Sequence, residues 1–576
     1  MSRPRSLYRW LPFSLPFLFL VLFYFYPLFG IVRQSFLPDG IWDPERLSNL
    51  LGSPVYGRIL WFTTWQAALS TFLTLLLALP GAYIFARYRF FGKNLFQALL
   101  TVPFVLPTVV TAAAFRALLG PNGLLNSWLV SAFDLSGPVI RIDQTVTFFL
   151  LAHIFYNYAL VLRIVGGYWA GLEPDLRAAA AMLGASPWQT FRKITLPLLM
   201  PAVGSAALLV FIFCFTSFGV VLILGGPSHA TIEVEIYRQA VQLFNLPMAA
   251  ALSLIQIGVN FLLMWLHARL SAKSRVPFYS DADAGVPEEV NSPKKRLFIT
   301  ANLLLMGVLL LAPLLALVVR SVIGTDGLTL SYYRALFSAG SDSIFFVEPV
   351  AAVINSVGFA LAAMTAAVIL GTGAATFLAS SGHKSSSWWD ALLMLPLATS
   401  AVTLGFGYII TLNRPPLNLR DSLFIVVIAH TLVAFPFVVR CILPTLRHIP
   451  QSLREAAALL GASPRRIWLR IDLPIISRAI LVGAVFAFSI SMGEFGASAF
   501  VTRPHMPTMP VAIFRFLGQP GEMNYGQAMA MSTILMLVTC SGFWLLGRLN
   551  MWYDVPKPPV PMPTAGPTTK PTTGKP

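Results

Sequence analysis

The stretch Leu-Arg-Ala-Ala-Ala-Ala-Met-Leu-Gly-Ala-Ser-Pro at 176–187 returns almost unchanged as Leu-Arg-Glu-Ala-Ala-Ala-Leu-Leu-Gly-Ala-Ser-Pro at 453–464. The second copy begins 277 residues after the first, and the same offset pairs His153 with His430 without a gap. Similarity at one fixed offset indicates repeated structural units. The chain is therefore predicted to consist of two equivalent halves.

The repeated stretch has the local signals of two helices joined by a tight turn. Ala and Leu favour a helix up to about residue 183, and Gly184 suits the left-handed conformation at a helix end. Ser186 can cap the next helix, and Gln189 completes the spacing of a capping box. The second copy has the same turn signals, so a helix–turn–helix elbow is predicted at 173–197 and again at 450–474.

The composition places most of the chain in a membrane. Of 576 residues, 56% are hydrophobic and 11% are charged, and the mean hydropathy is +0.73, whereas a soluble domain has roughly a quarter charged residues. Three cysteines exclude a disulfide scaffold. The net charge of +17 comes from cations between apolar stretches, which are typical of topology signals rather than of a nucleic-acid partner.

Twelve stretches are long and apolar enough to cross a bilayer as helices of about 20 residues. They are predicted at 10–31, 59–85, 95–119, 145–171, 198–226, 246–266, 297–320, 350–379, 388–413, 423–446, 475–502 and 522–547. The predicted fold is an all-α integral membrane protein with two parallel six-helix repeats. The predicted divisions are a first half at 1–270, a cytoplasmic linker at 271–296, a second half at 297–554 and a disordered cytoplasmic tail at 555–576.

Lys and Arg in short loops predict the orientation. They occur in the N-terminus, after the second and fourth spans, in the linker and in the second elbow, which all lie on one side of a twelve-span chain. Both termini and both elbows are therefore expected in the cytoplasm. The first span is too long for a signal peptide and is expected to remain in the mature protein.

The second elbow resembles the coupling motif of permease subunits of bacterial ABC importers, with Glu455-Ala456-Ala457 followed by Gly461-Ala462-Ser463 and by Leu473-Pro474. Its duplication resembles the fused permeases of the iron(III), thiamine and related anion or polyamine importers, which have the type I fold. The first copy departs from the motif, since Ala178 stands where the acid is expected. That difference predicts two unequal contacts.

The resemblance implies that each elbow docks on one of two copies of a cytoplasmic ABC ATPase. It also implies bacterial inner-membrane location, an extracytoplasmic substrate-binding protein, and ATP bound only by the partner, with no metal and no cofactor in this chain. The implied coupling residues are Leu176, Arg177, Ala179, Gly184, Ala185, Ser186, Leu453, Arg454, Glu455, Ala456, Ala457, Gly461, Ala462 and Ser463. The alternative is that each elbow simply packs against the protein's own helices.

Other classes of protein explain the sequence less well. The chain has no G-x-x-x-x-G-K-[ST] motif, so its energy must come from another subunit. A secondary transporter of the major-facilitator type also has two six-span halves, but it has no need for two docking elbows. A membrane enzyme is disfavoured because the sequence has neither H-E-x-x-H nor paired catalytic carboxylates.

Four polar side chains at membrane depth, His153, Asn157, His430 and Glu494, are candidates for the translocation pathway, because such groups are costly in lipid. The alternative for Glu494 is a role in helix packing, and for the histidines a hydrogen bond to an adjacent helix. Segments of the first half resemble thiamine permeases, and Gly493-Glu494-Phe495-Gly496 resembles iron(III) permeases equally well. The substrate therefore stays open between thiamine and iron(III).

Overall fold

The computed structural model describes residues 7–43, 45, 52–100, 102–103, 106–172, 179–273, 288–290, 292–324, 327–338, 349–381, 383–413, 415, 417–420 and 422–552. Within these residues, eleven helices are long and apolar enough to cross a membrane. The number is twelve if the bent pair Trp388–Ala398 and Ala401–Thr411 counts as one span. The prediction of an all-helical membrane protein is confirmed.

Helices of the first half carry every predicted span of that half, although two of these spans differ from the prediction, as described below. They are α1 (Leu7–Leu20), α2 (Tyr26–Phe36), α3 (Pro54–Arg87), α4 (Lys93–Leu99), α5 (Thr108–Leu119), α6 (Leu124–Phe133), α7 (Val146–Ala170), α8 (Pro187–Thr190), α9 (Leu196–Phe215), α10 (Gly219–Leu224), α11 (Ile232–Tyr237) and α12 (Leu246–Lys273). Three π-helical segments, Val21–Phe25, Phe191–Thr195 and Arg238–Gln242, continue helices of this half, and a 3₁₀ turn follows α2 at Pro38–Gly40.

The second half repeats this order. Its helices are α13 (Pro293–Val322), α14 (Ser331–Ala335), α15 (Val350–Ser380), α16 (His383–Met394), α17 (Ala401–Thr411), α18 (Phe424–His448), α19 (Gln451–Leu459), α20 (Pro464–Ile467), α21 (Leu473–Gly493), α22 (Ser498–Val501), α23 (Met509–Leu517) and α24 (Glu522–Trp552). A π-helical segment lies at Trp468–Asp472 and a 3₁₀ turn at Leu395–Ala398. Two short strands, β3 (Ile323–Gly324) and β4 (Gly327–Leu328), form an antiparallel hairpin.

Each half is built on the same three-helix packing unit. In the first half α3, α7 and α9 contact one another, and in the second half α15, α18 and α21 do the same. Buried small residues such as Ala78 and Ala82 on α3 let the helix axes approach closely, which is how helices associate in lipid. The repeat in the sequence therefore corresponds to a repeat in packing.

The first span of each half packs against the other half. Helix α1 contacts α15 and α2 contacts α17, while α13 of the second half contacts α5 of the first. Hydrogen bonds reinforce this exchange: the Tyr24 hydroxyl lies 2.8 Å from Thr399 Oγ1, and Tyr408 Oη donates to the Phe23 carbonyl at 2.9 Å. The halves are therefore interlocked rather than merely adjacent.

Four of the predicted spans, at 95–119, 198–226, 388–413 and 475–502, are interrupted in the structure. The third crossing lies at Thr108–Phe133, and the ninth bends by 88° before Ala401. The fifth and the eleventh end in short non-helical breaks at 216–218 and 494–497. Proline accounts for part of this, since Pro107 and Pro396 stand at the breaks of the third and ninth spans.

The linker between the halves is only partly described. Residues 274–287 lie outside the described residues, as does the predicted tail at 555–576. At the end of the linker, the strand β2 (Glu288–Glu289) pairs in parallel with β1 (Tyr88–Arg89), which follows α3. The boundary between the halves at 271–296 stays a prediction.

The crossing of α15 and α18 leaves no room for a side chain at Gly371, where an added Cβ would lie 2.7 Å from Val438 Cγ1. We expect Gly371→Leu to destabilise the protein by about 1–3 kcal/mol through overpacking and to lower its midpoint of thermal unfolding in detergent. Gly358 on the same helix has no atom within 4 Å of such a Cβ, so Gly358→Leu is the matched control. Equal midpoints for the two variants would contradict this packing.

Candidate translocation cavity

The four interrupted spans meet at a cavity of about 390 Å³ between the two halves. The first residues of α5 and α17 line it, represented by Thr108 and Ala401. The breaks at 216–219 and 493–496 complete it. Non-helical backbone at membrane depth is tolerated where it lines a cavity or is buried in protein. The breaks are therefore tolerated at this place because they line the cavity.

Glycine lets the breaks approach the neighbouring helices closely. A Cβ at Gly219 would lie 2.7 Å from Thr108 Oγ1, and a Cβ at Gly496 would lie 3.2 Å from the Cβ of Ala401. The two glycines are related by the offset of 277 residues, and each contacts the helix that starts at the cavity in its own half. The repeat therefore builds both sides of the cavity in the same way.

Three of the four predicted pathway residues line this cavity, namely His153, Asn157 and Glu494. The His153 ring is hydrogen-bonded on both nitrogens, with Nδ1 2.9 Å from Ser70 Oγ and Nε2 2.9 Å from Ser217 Oγ. Asn157 donates to the His153 carbonyl at 2.9 Å. The imidazole therefore fixes helix α3 and the first break in place while one edge borders the cavity.

His430 does not line the cavity. Its Nδ1 lies 2.7 Å from Ser491 Oγ and its Nε2 lies 2.8 Å from Ser498 Oγ, on either side of the second break. His430 is not among the residues that line this cavity, so its place in the translocation pathway stays a prediction. The hydrogen bonds of the alternative prediction are present at both histidines, because each ring is bonded on both nitrogens to serines of its own half.

Glu494 lies in the second break with only 9% of its surface exposed. One carboxylate oxygen, Oε1, accepts the backbone N–H of Ala497 at 3.0 Å, next to the start of α22. The equivalent residue in the first half is Ser217, and a break of the same kind forms there. The backbone geometry of the break therefore does not require a carboxylate.

A second carboxylate at the cavity wall, Glu233, escaped the sequence analysis. Glu233 and Glu235 are both fully buried on α11. Glu233 Oε2 accepts the Ser400 hydroxyl at 2.7 Å, and Oε1 accepts the amide of Gln256. Because Ser400 lines the cavity, Glu233 of the first half holds part of the wall formed by the second.

A signal for Glu233 is present in the sequence. The offset of 277 residues extends to this region, where it pairs Thr231 with Thr508 and Arg238 with Arg515. Each threonine is the residue before a helix, α11 in the first half and α23 in the second. A repeat that continues this far indicates a structured element rather than a loop, so following it further would have placed Glu233 inside the fold.

A row of four aromatic rings closes one side of the cavity. Phe218 and Phe495, which the offset relates, stack with their ring centroids 5.3 Å apart. Tyr237 and Phe514, also related by the offset, extend the row at 5.4 Å on either end. The pseudo-twofold axis therefore passes between the two stacked phenylalanines, one from each half.

Beyond the row lies a second cavity of about 430 Å³, lined by Tyr237 and Phe514 but by none of the residues that line the first. Its wall includes Gln144, which precedes α7, whereas the elbow follows the other end of α7. The second cavity thus lies toward the face opposite the elbows. The row of rings separates the two chambers.

The two elbows have the predicted turn geometry in the described residues. Gly184 and Gly461 adopt φ of +80° and +82°. Behind each, the N–H of the next alanine closes the helix end at 3.0 Å, from Ala185 to the Ala180 carbonyl and from Ala462 to the Ala457 carbonyl. The predicted αL turns are confirmed in both copies.

Helix capping differs between the elbows. Ser186 and Gln189 form the predicted capping box, with Ser186 N–H donating to Gln189 Oε1 at 2.9 Å. Ser463 makes no side-chain capping bond, and Arg466 at the position of Gln189 cannot supply the reciprocal bond of a capping box. The second elbow is instead braced by Arg454, whose Nε donates to Asp472 Oδ1 at 2.8 Å.

Both elbows expose large apolar side chains. Met182 and Leu183 are 89% and 88% exposed, and Leu459 and Leu460 are 90% and 89% exposed. These four residues were not among the predicted coupling residues. Of those that were, Ala179, Gly184, Ser186, Leu453, Glu455, Ala456, Gly461 and Ser463 are exposed, while Ala185, Arg454, Ala457 and Ala462 are half-buried. The predictions at Leu176, Arg177 and Ala178 lie outside the described residues.

Two repeated helical halves with interrupted helices around a central cavity define a membrane transport protein of the permease class. The chain belongs to the family "binding-protein-dependent transport system inner membrane component", which matches residues 78–276 and 367–555. It is thus a fused two-half ABC importer permease, a multi-pass protein of the inner membrane. The major-facilitator alternative is not favoured.

The chain is similar to thiamine transport system permease proteins along most of its length. It is 28% identical to the ThiP protein of Brucella abortus (strain 2308), covering 80% of this chain and 82% of that protein. For the ThiP protein of Escherichia coli (strain K12) the identity is 27%, with 83% and 86% covered. A bacterial ABC transporter involved in the import of the acidic polysaccharide alginate is 18% identical, with a TM-score of 0.39 over 48% of this chain and 97% of that chain.

Proposed function

We propose that this permease carries thiamine across the inner membrane as part of an ATP-driven importer. The observation that carries the proposal is the similarity to thiamine permeases over at least four-fifths of the chain and of those relatives. The central cavity agrees with it, because its lining contains aromatic rings and a carboxylate and thiamine is an aromatic cation. Within the described residues no three His, Cys, Asp or Glu side chains cluster as metal ligands, so iron(III) is less well supported.

The exposed elbows are proposed to dock on two copies of a cytoplasmic ABC ATPase. Leu183 and Leu460 are almost fully exposed at equivalent positions. Clusters of large, exposed apolar side chains are typical of interaction sites. The alternative that the elbows pack on the protein's own helices does not account for this exposure. Both termini and the elbows then lie in the cytoplasm, and a substrate-binding protein delivers thiamine to the opposite face.

The row of aromatic rings is proposed to close the pathway between the two chambers. Phe218 and Phe495 come from different halves, so thiamine can pass only when the halves separate at this level. Tyr237 and Phe514 widen the barrier on both sides of the axis. The described conformation is then one in which the central cavity is sealed from the binding-protein side.

Uptake measurements test the substrate. In a thiamine-requiring bacterium that lacks its own thiamine permease, we expect this chain, expressed with its ATPase and substrate-binding partners, to restore uptake of radiolabelled thiamine. An ATPase variant unable to hydrolyse ATP is the control and should give no uptake. A complex that is assembled in the membrane and does not accumulate thiamine would refute the assignment.

Arginine at the tip of an elbow should prevent ATPase docking. We expect Leu183→Arg and Leu460→Arg each to reduce the amount of ATPase that copurifies with the permease by about tenfold or more, because a charge replaces an apolar anchor in a desolvated contact. Phe91 is also fully exposed and follows α3, which ends on the elbow face. Phe91→Arg is therefore the matched control, and an equal loss of ATPase in all three variants would contradict docking at the elbows.

Removal of the two central rings should open the barrier. We expect proteoliposomes containing the complex with Phe218→Ala and Phe495→Ala to release entrapped thiamine without ATP several times faster than the parent, since deleting large side chains leaves an opening between the chambers. Phe486 and Phe543 also contact each other, at 5.2 Å, and line neither chamber. The double alanine variant of Phe486 and Phe543 should release thiamine as slowly as the parent. If the double variant of Phe218 and Phe495 also releases thiamine as slowly as the parent, these two rings are not the barrier.

A further inference from the structure

The lining of the central cavity is acidic in a strongly basic protein. The chain has 40 Lys and Arg against 23 Asp and Glu, yet Glu494 is the single charged residue among those that line the cavity, and no Lys or Arg is among them. In the described part of the chain Glu494 forms no ion pair, whereas the nearby acids Asp143 and Glu235 are paired with Arg116 and Arg238. An unpaired acid at membrane depth is costly unless something positive meets it.

The fold itself does not demand this charge. The equivalent residue Ser217 sits in a break of the same kind and bonds His153 instead. The Glu494 carboxylate accepts hydrogen bonds from the backbone N–H groups of Ala497, at 3.0 Å, and of Gly496, and a neutral amide oxygen could accept from such donors as well. The negative charge is therefore left for whatever occupies the cavity.

Aromatic faces stand beside the carboxylate. Phe218 and Phe495 border the cavity with their stacked rings, and Tyr156 and Phe213 line it as well. A ring face attracts a cation through its quadrupole, and flat aromatic ligands stack on such rings. A volume of about 390 Å³ is within the range of cavities that hold small organic ligands, roughly 300–1,000 Å³.

We propose that the cavity between the halves is a binding site for an aromatic organic cation, with the Glu494 carboxylate as its counter-ion. The permease itself then selects for positive charge, in addition to any selection by the binding protein. Glu233 stands behind the wall and holds Ser400, so it positions the second half of the site without contacting the ligand. The choice of thiamine as a probe rests on the proposed function, whereas the cation site itself is inferred from Glu494 and the aromatic rings of the cavity.

Direct binding tests this site without the binding protein. The permease–ATPase complex in lipid nanodiscs is titrated with radiolabelled thiamine and, separately, with benzyltrimethylammonium, a smaller aromatic cation. We expect both to bind the parent, and Glu494→Gln to weaken both by about tenfold or more while its thermal midpoint stays unchanged, because the amide retains the bond from Ala497. Glu494→Asp should restore part of the affinity.

The control is Glu235→Gln, which removes a buried carboxylate that lines neither chamber. It should leave cation binding as in the parent. If Glu494→Gln binds both cations as tightly as the parent, or if the parent binds neither, the site is refuted even where thiamine uptake proceeds. If benzyltrimethylammonium binding depends on Glu494 while the complex takes up no thiamine, the site stands and the substrate assignment fails.

Discussion

The constraint on which this structure depends is that every backbone N–H and C=O at membrane depth needs a partner. Continuous helices meet it automatically, and most spans here are continuous. Four are not, and all four interruptions come together at one place between the halves. Side chains such as Glu494 and Ser400 satisfy some of the freed backbone groups there, by accepting from N–H groups at the start of the next helix. The cavity is thus the site that the interruptions make possible.

The backbone and the aromatic rings of this cavity follow the twofold repeat, whereas its polar side chains do not. Gly219 and Gly496 shape the two breaks alike, and the stacked phenylalanines come one from each half. The polar groups do not follow the repeat: Glu494 stands opposite Ser217, and Glu233 has Pro510 as its counterpart. A duplicated scaffold can therefore carry a one-sided charge, since each half needs only to preserve the backbone of its break.

Much of this could be predicted from the sequence because hydropathy and the fixed offset are direct physical signals. The offset identified the halves and the elbows, including the αL turns at Gly184 and Gly461. Pro107 and Pro396 mark the breaks of the third and ninth spans in the sequence, but the breaks of the fifth and eleventh could not be predicted, because an apolar stretch such as 475–502 has the same hydropathy whether its helix is continuous or interrupted. The site was found only in part, because His430 and His153 are equivalent both in sequence and in having two serine partners, and only the cavity lining shows that His153 borders the cavity and His430 does not.

The same helix connects each elbow to the aromatic row. In the first half α9 runs from the π-helical segment after the elbow to the break that carries Phe218, and in the second half α21 runs to the break that carries Phe495. A helix of about 20 residues is roughly 30 Å long and nearly rigid. A movement of either elbow toward or away from the axis is therefore transmitted directly to one ring of the stacked pair. If the elbows dock on an ATPase and the rings form the barrier, as proposed, both elbows must move to separate the two rings fully, because each ring is connected to a different elbow.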